Sequence, residues 1–337
     1  MLSSPARLLL LLSALLLASP ALAQEQEGIT IVPGTVQRAT SVHSKPGARE
    51  PIISRLPANA TVRILSPERR RGFWRVILDR GRQGYILEND VTVPDSAMLD
   101  ESGGADARKP PCKEPLSACT PQGCAPDDSD KALFNTAKNH LPGGTRSVSI
   151  TFPDIKSLQR QADTKVEQGK ELSHAERNSI SNLTVANGRV GEGKLAKLIG
   201  FIVKSSDPHA NTGESVNCNL PRPENNDFHI SLALKPTQSE FQGIVVEMIP
   251  HDRPAQWTLE KLRKVKRDGR MVMVVGGLFY DNDHVVNADP ADDLGGQPKR
   301  FSLWEIHPIT QFFVCQRAGN ACSASNVAQW TKLEDLQ

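Results

Sequence analysis

The sequence predicts a mainly β protein built from two small barrels, the second carrying a short helical cover. Three observations carry that prediction. Between residues 28 and 93, short runs with alternating apolar residues, such as "TVRIL" and "WRVI", are separated by turn signals. Beyond residue 188 a second series reads strand, strand, strand, helix, strand, strand. Between the two, residues 94–130 are rich in Pro, Gly, Ser and acid with almost no large hydrophobics, a composition that buries too little surface to fold alone. At 337 residues, 38% hydrophobic and 23% charged, the chain has room for two cores, and its formal charge of +2 gives no general argument for nucleic acid.

Taken in order, residues 1–23 combine Arg7, an apolar run from Leu8 to Ala18, Pro20 and an Ala21-Leu22-Ala23 cleavage pattern. That is the form of a signal peptide, because the run is shorter than the roughly 18 apolar residues of a membrane helix. The mature chain is expected to start near Gln24, to be secreted or periplasmic, and to have no transmembrane segment after cleavage.

Residues 28–93 read as half-buried antiparallel strands: "GTVQRATSVHSKPGA", "PIISRLPANATVRILSP" and "GFWRVILDRGRQGYILENDVTV". The first ends in a Ser44-to-Gly47 turn, a Trp-x-Val strand follows at Trp74, and Gly84-Tyr85-Ile86 comes near the end. This order resembles the bacterial SH3-type (SH3b) domain, in which an aromatic, often Trp, stands where Tyr85 does. The resemblance implies a binding module, with Trp74 and Tyr85 as candidate binding residues.

The export signal changes how the six cysteines read, since an oxidising compartment favours disulfides. Cys112, Cys119 and Cys124 fall in the 94–130 linker, and Cys218, Cys315 and Cys322 in the C-terminal half. Both groups are odd, so full pairing requires at least one bridge between them. Zinc is the rival, but six and four intervening residues do not match the usual ligand spacings.

A helical cover is expected over 145–187. "PDIKSLQRQADTKVEQ" opens on Pro153-Asp154, and "SHAERNSISNLTVANG" has Ser173 and Glu176 in a capping box with Gly188 as a stop. From 188 to 317, strands are expected in "KLAKLIGFIVKS", "DFHISLALK", "GIVVEMIP", "RMVMVVGGLFYDN" and "FSLWEIHPITQFFV", with a helix in "AQWTLEKLRKVKRD". A helix between the third and fourth of five strands resembles the oligonucleotide/oligosaccharide-binding (OB) fold. The series Glu214-Ser215-x-Asn217-Cys218, Asp227-x-His229 and Trp304-to-Pro308 is also similar to a group of exported bacterial proteins, a resemblance that supplies a fold and no role. Residues 318–337 read as a tail.

Within "WEIHP", Glu305 and His307 share one strand face and Trp304 and Ile306 the other. The expected reading is a core strand anchored by Trp304, with Glu305 and His307 on a solvated outer face. The alternative joins them to Asp227, His229 and Glu247 as a cluster suited to a divalent metal or to acid–base catalysis. The loop "DNDHVVNADPADD" is expected to be solvated, with Asp281, Asp283 and His284 as candidate binding residues. It fails the EF-hand pattern because Val286 stands where Gly makes the turn.

Lys261, Arg263, Lys264, Lys266, Arg267 and Arg270 give the helix a charged face, and Arg69 to Arg71 give a barrel turn a second basic spot. Aromatic platforms for single strands are limited to scattered Phe228, Phe241, Phe279 and Tyr280, so nucleic acid is not the expected partner. No nucleophile elbow, phosphate-binding loop, His-Glu-x-x-His or dinucleotide fingerprint occurs. The expected function is therefore an exported, non-catalytic binding protein without a cofactor, contacting a cell-wall polymer such as peptidoglycan or an envelope protein. The alternative is a metal-dependent hydrolase using Asp227, His229, Glu247, Glu305 and His307.

Overall fold

The computed structural model describes residues 30–70, 72–93, 111–205, 213–294, 297–317 and 322–337. The expected signal peptide, the side chains of Arg69 to Arg71 and residues 94–110 of the expected linker lie outside the described part.

Seven strands, β1 (Thr30–Val36), β2 (Thr40–His43), β3 (Ile52–Leu56), β4 (Thr61–Arg70), β5 (Phe73–Ile77), β6 (Gln83–Leu87) and β7 (Val91–Thr92), form the first sheet in the order β3-β2-β6-β5-β4-β1-β7. Its core is the inward half of the alternation, including Val36, Val42, Ile64, Trp74, Val76 and Ile86. On β5 the alternation of burial fails, and all five residues are buried. The reason is a second contact: Leu65 and Ile77 on the outer face pack with Val285 and Leu294 of the loop expected to be solvated. Arg75 Nη1 donates to the Asp292 carbonyl at 2.8 Å, and Gln83 Nε2 to that of Val286 at 2.9 Å. The acidic loop is thus the seam between this sheet and the C-terminal half, with Val285 and Asn282 fully buried.

The C-terminal half forms a barrel of five strands, β11 (Leu195–Ser205), β12 (Phe228–Ala233), β13 (Ile244–Met248), β14 (Met271–Tyr280) and β15 (Trp304–Cys315), with the short β8 (Val148–Ser149) added parallel to β11. The five pair as β12-β13-β15-β14-β11, and β11 returns to β12, closing the barrel. All pairs within the barrel are antiparallel except β13 with β15. Trp304 and Ile306 face inward and are fully buried, with Trp304 edge-on to Tyr280 at 5.1 Å between ring centroids. Opposite them, Gly276 pairs with Ile309 and Leu278 with Ile306, so β15 holds an extra residue at His307-Pro308. A Cβ on Gly276 would lie 2.2 Å from the Pro308 carbonyl, so this bulge requires glycine.

Among the described residues four α-helices accompany the strands: α1 (Asp130–Lys138), α2 (Phe152–Ala162), α3 (His174–Ser179) and α4 (Leu259–Arg267). Helix α2 starts at a Thr151/Asp154 capping box and α3 at the expected Ser173/Glu176 box. Ile155, Leu158 and Ala162 of α2 enter the same core as Leu198, Val246 and Trp304, which makes it the cover of the barrel. The second helical stretch is shorter than its sequence suggested. It stops at Ser179, and β9 (Leu183–Val185) turns back on β10 (Gly188–Val190) as a hairpin. Helix α4 buries Leu262 and Val265, and Lys264, Lys266 and Arg267 lie on its exposed side.

Two segments expected to be loose are built in. Residues 111–130 join α1 in a cap over the barrel, held by Cys112–Cys124 and Cys119–Cys218. The expected tail supplies β16 (Trp330–Lys332), paired to β15, with Cys322 bonded to Cys315. One bridge crosses between the two odd cysteine groups, as their count requires, and no described cysteine is free. Among the described residues no helix is long and apolar enough to cross a membrane.

Candidate functional site

Strand register assembles the site. His229 stands directly across from Glu247 on the β12–β13 pair, and Val246 pairs with Ile306 across β13–β15, which sets Glu247 beside His307. Asp227 immediately precedes β12. These side chains point away from the barrel interior, as parity requires, but not into solvent: Asp227, Glu247, Glu305 and His307 are all buried. The expected solvated outer face of "WEIHP" is therefore a second, polar interior, closed by the cap.

The cap delivers a residue that the sequence did not single out. Ser129 caps α1 by accepting from the Ala132 amide, and Phe134 packs edge-on to Phe279 at 5.2 Å. At the other end of α1, the Lys138 ammonium lies 3.3 Å from Glu247 and 3.7 Å from Asp227. The Lys138 carbonyl, one of the last in the helix, accepts from His307 Nδ1 at 2.6 Å. His307 Nε2 then lies 3.2 Å from Asp227 Oδ2 and 3.0 Å from Glu247 Oε2. Both ring nitrogens face acceptors, the arrangement of an imidazolium. His229 Nε2 bridges Glu247 at 3.2 Å and Glu214 at 3.3 Å. Asn217 donates to Asp227 at 3.0 Å.

Protonation follows from these contacts. Burial alone would lower both imidazoles, but the Glu247 carboxylate reverses it: His307 is raised to about 9, helped by its Asp227 hydrogen bond, and His229 to about 10, helped by Glu214. Burial likewise opposes the charged form of Glu214, yet the Lys138 charge holds it at about 2. Glu247 is held well below the usual carboxylate range by His229 and Lys138 against the same burial. Asp227 is raised, by burial and then by the Glu214 charge. Three cationic groups, Lys138, His229 and His307, thus face three carboxylates, Glu214, Asp227 and Glu247.

Glu305 belongs to a neighbouring set. Its carboxylate contacts Arg300, which also donates to Asp281 at 2.6 Å, and Asp281 lies 2.6 Å from His284. Burial, followed by the charges of Glu247 and Asp281, pushes Glu305 up to about 8. The five residues of the alternative reading therefore divide: Asp227, Glu247 and His307 meet, His229 adjoins them through Glu247, and Glu305 turns to Arg300.

The candidate binding residues are engaged within the protein. Trp74 is in the first core, the buried Tyr85 hydroxyl contacts Asp292, Asp281 and His284 hold each other, and Asp283 meets Lys131. Phe228, Phe279 and Tyr280 are buried too, so none offers a stacking platform. An open cleft of about 290 Å³ lies instead between α1 and α3, with Leu133, Ala137, His140, His174, Arg177 and Asn178 among its walls.

As a metal centre the folded cluster does not fit. The ligand atoms of Asp227, Glu247 and His307 lie within 4.8 Å of one another, but the Lys138 ammonium occupies the cation position between Asp227 and Glu247. Nor does a substrate reach it, since the Asp227 and His307 side chains have 0% exposure. Glu214 and Asn217 were legible as part of the "ESVNC" motif, whereas no sequence signal marked Lys138.

No protein-family model matches the chain, and no curated protein matches it. Among solved structures it is similar to NlpC2 from Trichomonas vaginalis at 15% identity, covering 67% of this chain and 69% of that one with a TM-score of 0.17. It is also similar to NlpC1 from the same organism at 14% identity, covering 67% and 66% with a TM-score of 0.17.

Proposed function

We propose that the protein is an exported, non-catalytic binding protein that contacts cell-envelope material, either peptidoglycan or an envelope protein. The observation that carries this reading is the Lys138 ammonium seated between Asp227 and Glu247 under a closed cap. Hydrolysis needs a concave site open to substrate and water. Here the acid–base groups neutralise one another out of reach of both. Three disulfides in one chain support an oxidising compartment. The cleft between α1 and α3 is the proposed contact face, because it joins an apolar wall at Leu133 and Ala137 to the polar groups of His140, His174 and Asn178.

The test is co-sedimentation of the full mature chain with purified peptidoglycan, together with capture by envelope-protein extracts and an assay for released muropeptides. Binding that falls in Ala137→Arg, with no release of soluble fragments, is the expected result. Release of fragments that is abolished in Asp227→Asn would overturn the reading in favour of the hydrolase.

A further inference from the structure

The cleft between α1 and α3 has Leu133 and Ala137 on its α1 side, and facing them Asn178 and an ion pair, Arg177 with Glu192. The pair is deep-set, its two side chains 8% and 9% exposed. Arg177 Nη1 donates to Glu192 Oε1 at 2.7 Å, and the Tyr280 amide donates to the same oxygen at 3.2 Å. Arg177 Nη2 donates to Asn282 Oδ1 at 2.6 Å, and the guanidinium lies over the Phe134 and Phe279 rings, 5.4 and 5.8 Å from their centroids. Neither side chain is free to turn.

Hydrogen-bonding capacity is nevertheless left over on both. Arg177 Nε is buried without an acceptor. Glu192 Oε2 has no partner among the described residues, and it is not sealed in as Glu305 Oε2 is, so it opens on the cleft that Glu192 lines. Burial raises Glu192 above the ordinary carboxylate value, with the Arg177 charge and the Tyr280 amide acting against it. A further donor on Oε2 therefore stabilises the charged form.

The chemistry of the occupant follows by elimination. A cation on Oε2 would meet the Arg177 charge and an anion the Glu192 charge, so the pair suits a neutral N–H donor. The cleft's volume of about 290 Å³ is at the small end for ligand pockets, about 300–1,000 Å³, and holds a short segment. A folded protein partner needs about 800 Å² of surface on each side. Among the described residues that line the cleft there is no Phe, Tyr or Trp, so a sugar ring has no such face to pack on. Leu133 and Ala137 instead offer aliphatic surface to a small side chain, and Asn178 offers a donor and an acceptor across from it. On the reading of the protein as an envelope-binding protein, on which this step rests, we infer that the cleft holds the peptide stems of peptidoglycan and not its glycan strands. A peptide N–H donates to Glu192 Oε2, and an alanine-sized side chain lies against Leu133 and Ala137.

The test sediments the full mature chain with purified peptidoglycan in the presence of one of two competitors: free stem peptides released by an amidase, or glycan strands stripped of peptide. Stem peptides should displace the protein and glycan strands should not. Glu192→Gln keeps an oxygen for Arg177 and the Tyr280 amide and turns an NH₂ toward the cleft, so that two donors oppose each other. It should weaken displacement by stems about tenfold or more, as a buried donor left unpaired does. Asn178→Leu, at an exposed position that leaves the ion pair in place, should weaken it too, and it decides alone where Glu192→Gln loses its near-ultraviolet dichroism. Displacement by glycan strands, no displacement by stems, or a folded Glu192→Gln that is displaced as wild type is, overturns the inference and leaves envelope binding standing. Capture by an envelope protein without sedimentation does the same. Neither sedimentation nor capture overturns both.

Discussion

Replacing Lys138 by Met removes the ammonium while keeping an unbranched stem of similar length. In the folded chain that ammonium stands 3.3 Å from Glu247 and 3.7 Å from Asp227, with 12% of the side chain exposed. Breaking a buried ion pair from one side costs about 3–5 kcal/mol, because the other charge is left uncompensated. With about 2–4 °C per kcal/mol for a domain of this size, the variant should melt roughly 6–20 °C below wild type at pH 7. The loss should depend on pH in a definite direction. Glu214 is lowered from 4.5 to about 2, against burial, chiefly by the Lys138 charge. A depressed carboxylate contributes stability that is present above its unfolded value and disappears as pH falls through its folded value. The gap between the proteins should therefore be full above pH 4.5 and narrow between 4.5 and about 2. Thermal melts at pH 7 and pH 3, followed by circular dichroism, measure both effects. A variant that melts with wild type at pH 7, or a gap that widens at pH 3, would refute the assignment of Lys138 as the internal cation.

Trp304→Ala should cost about 3–5 kcal/mol in denaturant unfolding, the range for truncating a large buried aromatic, since Trp304 is fully buried against Tyr280. A cost near zero would show the strand anchored elsewhere. Wild type should lose stability on the alkaline side. His307 and His229 are raised from 6.5 to about 9 and about 10, so their contribution is complete below pH 6.5 and falls away as pH rises through those values. Melts that are flat from pH 6.5 to 10 would contradict the imidazolium assignment. Intact-mass analysis should find no cysteine alkylated before reduction and six afterwards, given three disulfides and no free described cysteine.

The strand pattern was legible because its period is short and local. Parity in "WEIHP" separated Trp304 and Ile306 from Glu305 and His307, and the helix between the third and fourth strands of the barrel lies where the pattern placed it. The burial of the polar face was not legible, because it depends on what covers that face. The cover comes from residues 111–141, of which 111–126 are Pro- and Cys-rich with no apolar period and are held by disulfides more than by a core of their own, while the helix that follows is only nine residues long. For the same reason nothing distinguished Lys138 from any other lysine. The hairpin at 183–190 was masked by a capping box whose helix proved only six residues long, although Leu183, Thr184 and Val185 ahead of Asn187-Gly188 carry a turn signal. The acidic loop read as solvated because its aspartates outnumber Val285 and Leu294, its apolar residues in the seam.

That seam has a thermodynamic consequence. One end of the loop contacts Tyr85 and Arg75 in the first sheet through Asp292, and the other end is clamped by Arg300, the partner of Glu305, through Asp281. Undocking the two units would expose Leu65, Ile77, Val285 and Leu294 together and break the Arg75–Asp292 ion pair. The two halves are then one cooperative unit, so calorimetry should record a single transition whose calorimetric and van't Hoff enthalpies agree.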